Sequence, residues 1–531
     1  MRTLFLVIVL FLNARSHSEE IKLLRMGMVG EPATLNPVFR SSSEEGLINA
    51  LALRSLSHFN AHSELVPHIA IKEPKFVGNE LIFEIKKEAR WGDGVPMTCE
   101  DFNTGNSAAL KFHVESETKI VRIASFPGFP QQCRVMFRIK KPIYTLYLAQ
   151  PLPSHIESRI VNQSKDIEEY LKRTMYSTKP MTPGLYNGPY ILSLYMPGSH
   201  LEYTRNPLFY GHTSRIEKIQ VRIFKDFQGM LNAFRTQEID MMMQGVPSSR
   251  VKEIQKIIDE KNWPYRVVSR DITKLTHLVF NLESPNVKDV RVRRALSMMI
   301  DVKEFKDVVN GNGTLTGSLA HPLDPIFLKQ YTRPLYKLDR KKAMSLLKEA
   351  GFTRNSENKL VGSSGKQLEI RLHFNSENPD REDVAMYLEN KWSSLGINVS
   401  IKKSLKRVLM GEYLKKGNYD VAVFGWSQPK LQINLDFFTS QAIPTEANKW
   451  IGYNYARWNN LKVDQEMTKA DAEFEISGIK KHMDAFQKEF REDLPWLPLY
   501  FQDRIVVVPK YLKSFEIFPD WEAETYSIEN W

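Results

Sequence analysis

Apolar residues recur along this chain with two periods, and the periods alternate. Leu81, Phe83 and Ile85 are spaced by two, as are Val135, Phe137 and Ile139, and Ile219, Val221 and Ile223. That spacing sends every second side chain to one face and predicts half-buried strands. Elsewhere the spacing is three and four. Val292, Ala295, Leu296, Met299 and Ile300 follow it, as do Ala343, Leu346, Leu347 and Ala350. Val384, Tyr387, Leu388, the stem of Lys391 and Leu395 form a third such face. These faces predict amphipathic helices. Asp339 stands at an N-cap and Gly351 at a left-handed C-cap of the second helix. Gly396 stops the third, and Ile397, Val399 and Ile401 return to strand period. Tyr190-Ile191-Leu192 opens an extended run, Pro197-Gly198 is a turn pair, and Leu201–Thr204 returns as a second strand, which predicts a hairpin. Short strands interleaved with amphipathic helices predict α/β domains.

A chain of 531 residues is too long for one core and is expected to form two to four domains. Loop punctuation falls at Trp91–Gly94, Gly311–Gly313, Gly362–Gly365 and Pro322–Pro325, without marking the domain boundaries. There is no internal repeat. At the start, Arg2 precedes an unbroken apolar run from Leu4 to Leu12, followed by the small-residue segment Ala14-Arg15-Ser16. Nine apolar residues are too few for a bilayer, which needs about 20. The pattern predicts a signal peptide over residues 1–18. No cysteine follows the run, so the expected product is free in the periplasm rather than lipid-anchored.

The formal net charge is +11, but Lys and Arg are scattered, with short runs such as Arg340–Lys342 and Lys402-Lys403. That distribution predicts a solvated basic surface rather than a nucleic-acid footprint, and it is compatible with a basic cleft that attracts anionic cargo. The two cysteines, Cys99 and Cys133, either pair in an oxidising compartment or stand as buried thiols, and spacing does not choose. No zinc-protease, nucleophile-elbow or phosphate-loop motif occurs. Gly311–Gly317 has the wrong glycine spacing for a phosphate cradle and reads as a turn. His58, His62 and His68 do not share one helix face and are expected at the surface. Adjacent acids such as Glu382-Asp383 and Glu492-Asp493 read as solvated charges. No cofactor, no metal site and no catalytic constellation is expected.

Several segments carry a more specific message. Asn187–Gly211 reads NGPYILSLYMPGSHLEYTRNPLFYG. Gly30–Pro37 reads GEPATLNP, and Trp91–Phe102 reads WGDGVPMTCEDF. Gln237–Asp240, Phe280-Asn281 with Asp289–Asp301, Glu349–Phe352, and Leu395–Val399 follow in order. Together these resemble the bacterial extracellular solute-binding proteins of the peptide/nickel family, the cargo-capturing subunits of ABC importers. The resemblance implies an α/β, two-lobed periplasmic binding protein of type II-like form with a third, inserted domain. It places lobe I at 19–55, 180–274 and 500–531, the inserted domain at 56–179 and lobe II at 275–499. It implies a monomer that binds a peptide or other small solute between its lobes, closes about a hinge and docks an ABC permease. A ligand sensor that docks a membrane receptor would keep the same fold, whereas a secreted hydrolase would need a nucleophile or carboxylate pair that the sequence does not offer. The candidate cleft contacts are Glu31, Pro32, Ala33 and Thr34, then Asn281, and then Gly425, Trp426 and Ser427.

One segment departs from the family pattern. Tyr419–Trp426 matches a cleft strand, after which peptide-binding members place an acid for the ligand's amino terminus. Here Ser427-Gln428-Pro429-Lys430 follows, and the next acid is Asp436. Burying an ammonium without a partner is costly. Either Asp436 substitutes, or Lys430 faces an anionic ligand, or Lys430 points to solvent.

Overall fold

The computed structural model describes residues 20–531 apart from 41, 113–119, 139, 145–147, 312, 377–378, 428 and 520–522. The expected signal peptide, Ile139 and Asn312 lie outside the described residues. An 11-stranded sheet runs through the molecule. Its strands are β1 (Ile21–Val29), β2 (Tyr190–Met196), β3 (His200–Arg205), β4 (Ile216–Phe224), β5 (Met241–Gln244), β6 (Tyr265–Phe280), β7 (Thr314–Leu315), β8 (Glu369–Asn375), β9 (Asn398–Ser404), β10 (Val421–Ser427) and β11 (Trp496–Pro509). The order is β9-β8-β10-β6-β11-β5-β1-β4-β3-β2, with β7 paired to β11. β6 and β11 are the long strands, of 16 and 14 residues, and their antiparallel pairing spans both halves of the sheet.

Each half has its own core. Around β1, Leu24, Met26 and Met28 pack with Ile219, Val221, Val506 and Val508 on one face. On the other, Met230, Phe234, Ile254 and Ile258 come from helices Phe227–Arg235 and Val251–Glu260. In the second half, successive residues of β10 point to opposite faces. Val421 and Val423 join Leu278, Phe280, Leu372 and Trp392, while Ala422 and Phe424 join Val279, Trp458, Phe486 and Phe490. Cover on both faces explains why β6 is continuously buried from Leu275 to Phe280.

A separate four-stranded antiparallel sheet holds Lys75–Val77, Glu80–Glu84, Phe129–Phe137 and Ile120–Phe126. Helix Cys99–Lys111 lies against it, and a disulfide joins Cys99 at the helix start to Cys133 on the strand. The expected hairpin is β2–β3, with Gly198 at φ +72. The helix capped by Asp339 runs Arg340–Glu349, and Gly351 adopts φ +91.

Two expectations are corrected. The helical face drawn to Ile300 ends at Ser297, because Asp301 caps a new helix, Val302–Val308. His58 and His68 are not surface residues. They lie in a half-buried cluster where His58 stacks near Tyr526, and His68 meets Tyr210 and Glu529. Burial holds their imidazoles down, to about 3 and about 4. Among the described residues no group of side chains is arranged to hold a metal ion, and no helix is long and apolar enough to cross a membrane.

Candidate functional site: the crossing between the lobes

The registers locate a candidate site. β1 runs parallel to β4 and β5, and β5 runs antiparallel to β11, with Met242 opposite Val507. The carboxyl ends of β1, β4 and β5 therefore point toward the β11 segment near Asp503. β10 pairs antiparallel with β6, from Phe280–Val421 to Lys274–Ser427. Its carboxyl end therefore points toward Lys274, close to where β6 and β11 break register between Asp271 and Leu275. The strand ends of both halves converge on this crossing. In open α/β sheets ligands bind at the carboxyl ends of strands.

Glu31–Thr34 follows β1 and forms one rim. Glu45, buried in the capping box of helix Ser43–Ala52, accepts the amides of Ala33 and Thr34 at 3.0 and 3.3 Å. Pro32 is buried and Ala33 exposed. The exposed Glu31 accepts the Gly198 amide at 2.7 Å, which ties the rim to the β2–β3 turn. Gly425, Trp426 and Ser427 form the other rim, increasingly open toward Ser427. Trp426 leans edge-on against Phe437 at 4.6 Å and beside Tyr453 at 5.7 Å. Gly425 lets Arg381 approach the strand closely, since a Cβ there would stand 2.5 Å from its Nη2 and displace the guanidinium.

Lys430 neither points to solvent nor stands open in the cleft. It is 3% exposed, and its Nζ donates to the Ser63 carbonyl at 3.2 Å and lies 4.8 Å from the centre of the Phe59 ring. Leu431 joins Phe59, Ile143, Ile326 and Ile479 in a small apolar cluster. Nearby, Lys141 pairs with Asp471 at 2.7 Å, and Phe76 meets Phe474 edge-on. Asp436 is exposed on the short helix Leu435–Phe438.

Asn281 follows the far end of β6, the length of β10 away from Lys274. Its amide donates to the carbonyls of Gly417 and Tyr419 at 2.9 and 3.0 Å. It is a structural clasp, and it is not brought together with the other candidates. A hollow of about 430 Å³ lies at this end, lined by Asn281, Glu283, Arg371, Lys416, Trp450 and Arg457.

Sequence reasoning missed Lys274. It is partly buried, opposite Ser427, and makes no hydrogen bond or ion pair among the described residues. Burial pulls its ammonium down to about 8, and the charges of Arg381, Lys406 and Arg504 add to the effect while Glu44 opposes it. The one available signal was a lysine inside a run otherwise apolar or uncharged from Ile272 to Phe280. His277 was also missed. It is fully buried, stacked on Trp496 at 3.9 Å, and held down to about 3 by burial, with Arg381 contributing.

Solved structures share this architecture. AppA from Bacillus subtilis, solved with a nonapeptide, superposes with a TM-score of 0.78 at 20% identity, over 97% of this chain and 99% of its own. Its sequence is 22% identical over 526 residues, 96% of this chain and 91% of AppA. NikZ from Campylobacter jejuni, solved with Ni(L-His), gives 0.76 at 20% identity, over 96% and 99%. The periplasmic EDTA-binding protein EppA gives 0.80 at 17%, over 97% and 96%. At these identities the likeness shows the fold. The family model for "Bacterial extracellular solute-binding proteins, family 5 Middle" matches residues 64–441, and this chain belongs to that family of extracellular solute-binding proteins.

Proposed function

We propose that this protein is the periplasmic substrate-binding subunit of an ABC importer. It holds a small solute or peptide without covalent chemistry in the cleft at the crossing strands and presents the closed form to a membrane permease. The observation that carries this reading is the convergence of strand ends from both halves of the sheet on the β6–β11 crossing. A site shared by two lobes couples occupancy to closure, since a ligand touching both favours the closed form. The Glu31–Thr34 loop and Gly425–Ser427 supply the facing contacts. Residues 19–55, 180–274 and 500–531 act as one lobe and 275–499 as the other, with 56–179 riding on the first. The protein works as a monomer, and its task is capture rather than catalysis.

The relatives differ in cargo. AppA was solved with a nonapeptide, NikZ with Ni(L-His), and EppA is named for EDTA. The scaffold therefore does not name the cargo here. Native mass spectrometry of the protein from its own cell envelope, followed by thermal melting with the solute found, tests the reading. At a hundredfold excess over Kd the solute should stabilise by about 2.7 kcal/mol, and small-angle scattering should show compaction. A protein that carries no solute and shows neither a melting shift nor compaction with any peptide or envelope metabolite would not be an importer subunit.

A further inference from the structure

We propose that the cleft takes its ligand by a carboxylate, and that Lys274 is the residue that receives it. This rests on the binding-protein reading above and names the chemistry of the same site. Lys274 lies where the strand ends converge, facing Ser427 across the β6–β10 ladder. The acids around the crossing already have donors. Glu44 accepts from Gln244 at 2.9 Å, Asp271 from His321 at 3.1 Å and from Thr314 at 3.2 Å, and Asp503 from Ser269 at 2.8 Å. Lys274 has no such partner among the described residues, although its side chain is partly buried. Three of the four charged groups whose fields it feels most, Arg381, Lys406 and Arg504, are cations, and the fourth is Glu44. Arg504 is neutralised by Glu524.

A partly buried ammonium among cations is costly to keep. A bound anion supplies the missing partner, and a charge-assisted hydrogen bond to a carboxylate is about twice as strong as a neutral one. The strand from which a ligand would be met, β10 and its extension, brings no carboxylate between Val421 and Leu435. Lys430 is engaged with Ser63 and Phe59. The charge around the crossing is weighted to cations, and Lys274 is a donor there without a partner among the described residues.

The carboxylate could belong to a peptide terminus or to an organic acid, and four probe pools separate the sources. These are mixed free tripeptides, the same tripeptides amidated at the carboxyl end, the same tripeptides acetylated at the amino end, and mixed di- and tricarboxylic acids. Each is titrated into the full-length protein by calorimetry. The free and acetylated tripeptides, or the organic acids, should bind. Amidation of the tripeptides, or Lys274→Gln, should weaken binding at least tenfold, whereas Lys274→Arg should stay within threefold. The melting temperature of unliganded Lys274→Gln should equal or exceed that of the parent, which excludes loss through misfolding. Equal binding of amidated and free peptides, unchanged binding by Lys274→Gln, or binding by none of the carboxylate pools would overturn the proposal. A neutral solute that co-purifies with the native protein would sink the carboxylate and leave the importer reading standing.

Discussion

The two ends of the inner half of β6 are built from the same sheet but treat polar groups in opposite ways. At the far end Asp420 and Asn281 are fully engaged. Asp420, fully buried, accepts from the backbone and guanidinium of Arg371, from Ser284 and from Asn286, while Asn281 clasps two carbonyls. At the crossing, Lys274 lacks a partner among the described residues, and the β6–β11 register breaks across it, between Asp271 and Leu275. The far end holds lobe II together, whereas the crossing keeps capacity in reserve for something outside the chain. A partly buried ammonium beside other cations is costly to keep, so the crossing is the end where an anionic ligand is expected.

The largest effect should come from breaking the far end. Asp420→Ala leaves Arg371, Ser284 and Asn286 without their acceptor and should destabilise the protein by about 3 kcal/mol, read as a lower urea midpoint, while solute affinity of the folded protein stays within twofold. Burial raises the Asp420 carboxyl, but the bonds from Arg371 and Ser284 outweigh it and hold it below the ordinary range. Its stabilisation is therefore present above about pH 4 and is lost as pH falls through the depressed value. An unchanged acid limb in Asp420→Asn would break the comparison.

The crossing should show the opposite sign. A lysine held down to about 8 disfavours the folded state wherever it must carry charge. Between about pH 8 and the ordinary lysine value near 10.4 the unfolded chain binds the extra proton, so stability contributed by this group rises with pH. Lys274→Met should remove that rise and stabilise the unliganded protein at pH 7 by about 1–3 kcal/mol, seen in paired melting curves at pH 7 and 10. Destabilisation by Lys274→Met would mean that the lysine serves the fold.

The smallest effect belongs to Lys430. Lys430→Met gives up one hydrogen bond to Ser63 and the contact with Phe59. It should lower stability by about 1 kcal/mol and shift the unliganded scattering profile toward a more extended form. No change in that profile would show that the contact does not hold the segment around Phe59–Ser63 against the one around Lys430.

The difference between the ends also explains what could be read in advance. The β2–β3 hairpin, the helix from Asp339 to Gly351 and the switch at Gly396 were legible because turns, caps and periodicity are set by residues a few positions apart. Gly425–Ser427 and Glu31–Thr34 were legible as candidates through their resemblance to family segments. Asn281 is a candidate because it follows a matching strand, and only the antiparallel register with β10 shows that it lies at the opposite end from Gly425–Ser427. Lys430 was read as solvent-facing or ligand-facing because nothing in its neighbourhood announces Ser63 and Phe59. His58 and His68 were read as surface residues because Tyr210, Tyr526 and Glu529 are far away in sequence.

The sequence by itself determined the alternation of strand and helix, the local caps and turns, and membership of a two-lobed binding-protein family. These depend on short-range sterics and on the burial of periodic apolar faces. The tertiary structure alone decided which polar groups meet. It matched Arg371 to Asp420, Arg504 to Glu524 and Lys430 to the Ser63 carbonyl, and among the described residues it left Lys274 unmatched at the crossing. Charge pairing is settled by distances of a few ångströms between residues tens or hundreds of positions apart, and a linear pattern does not contain those distances.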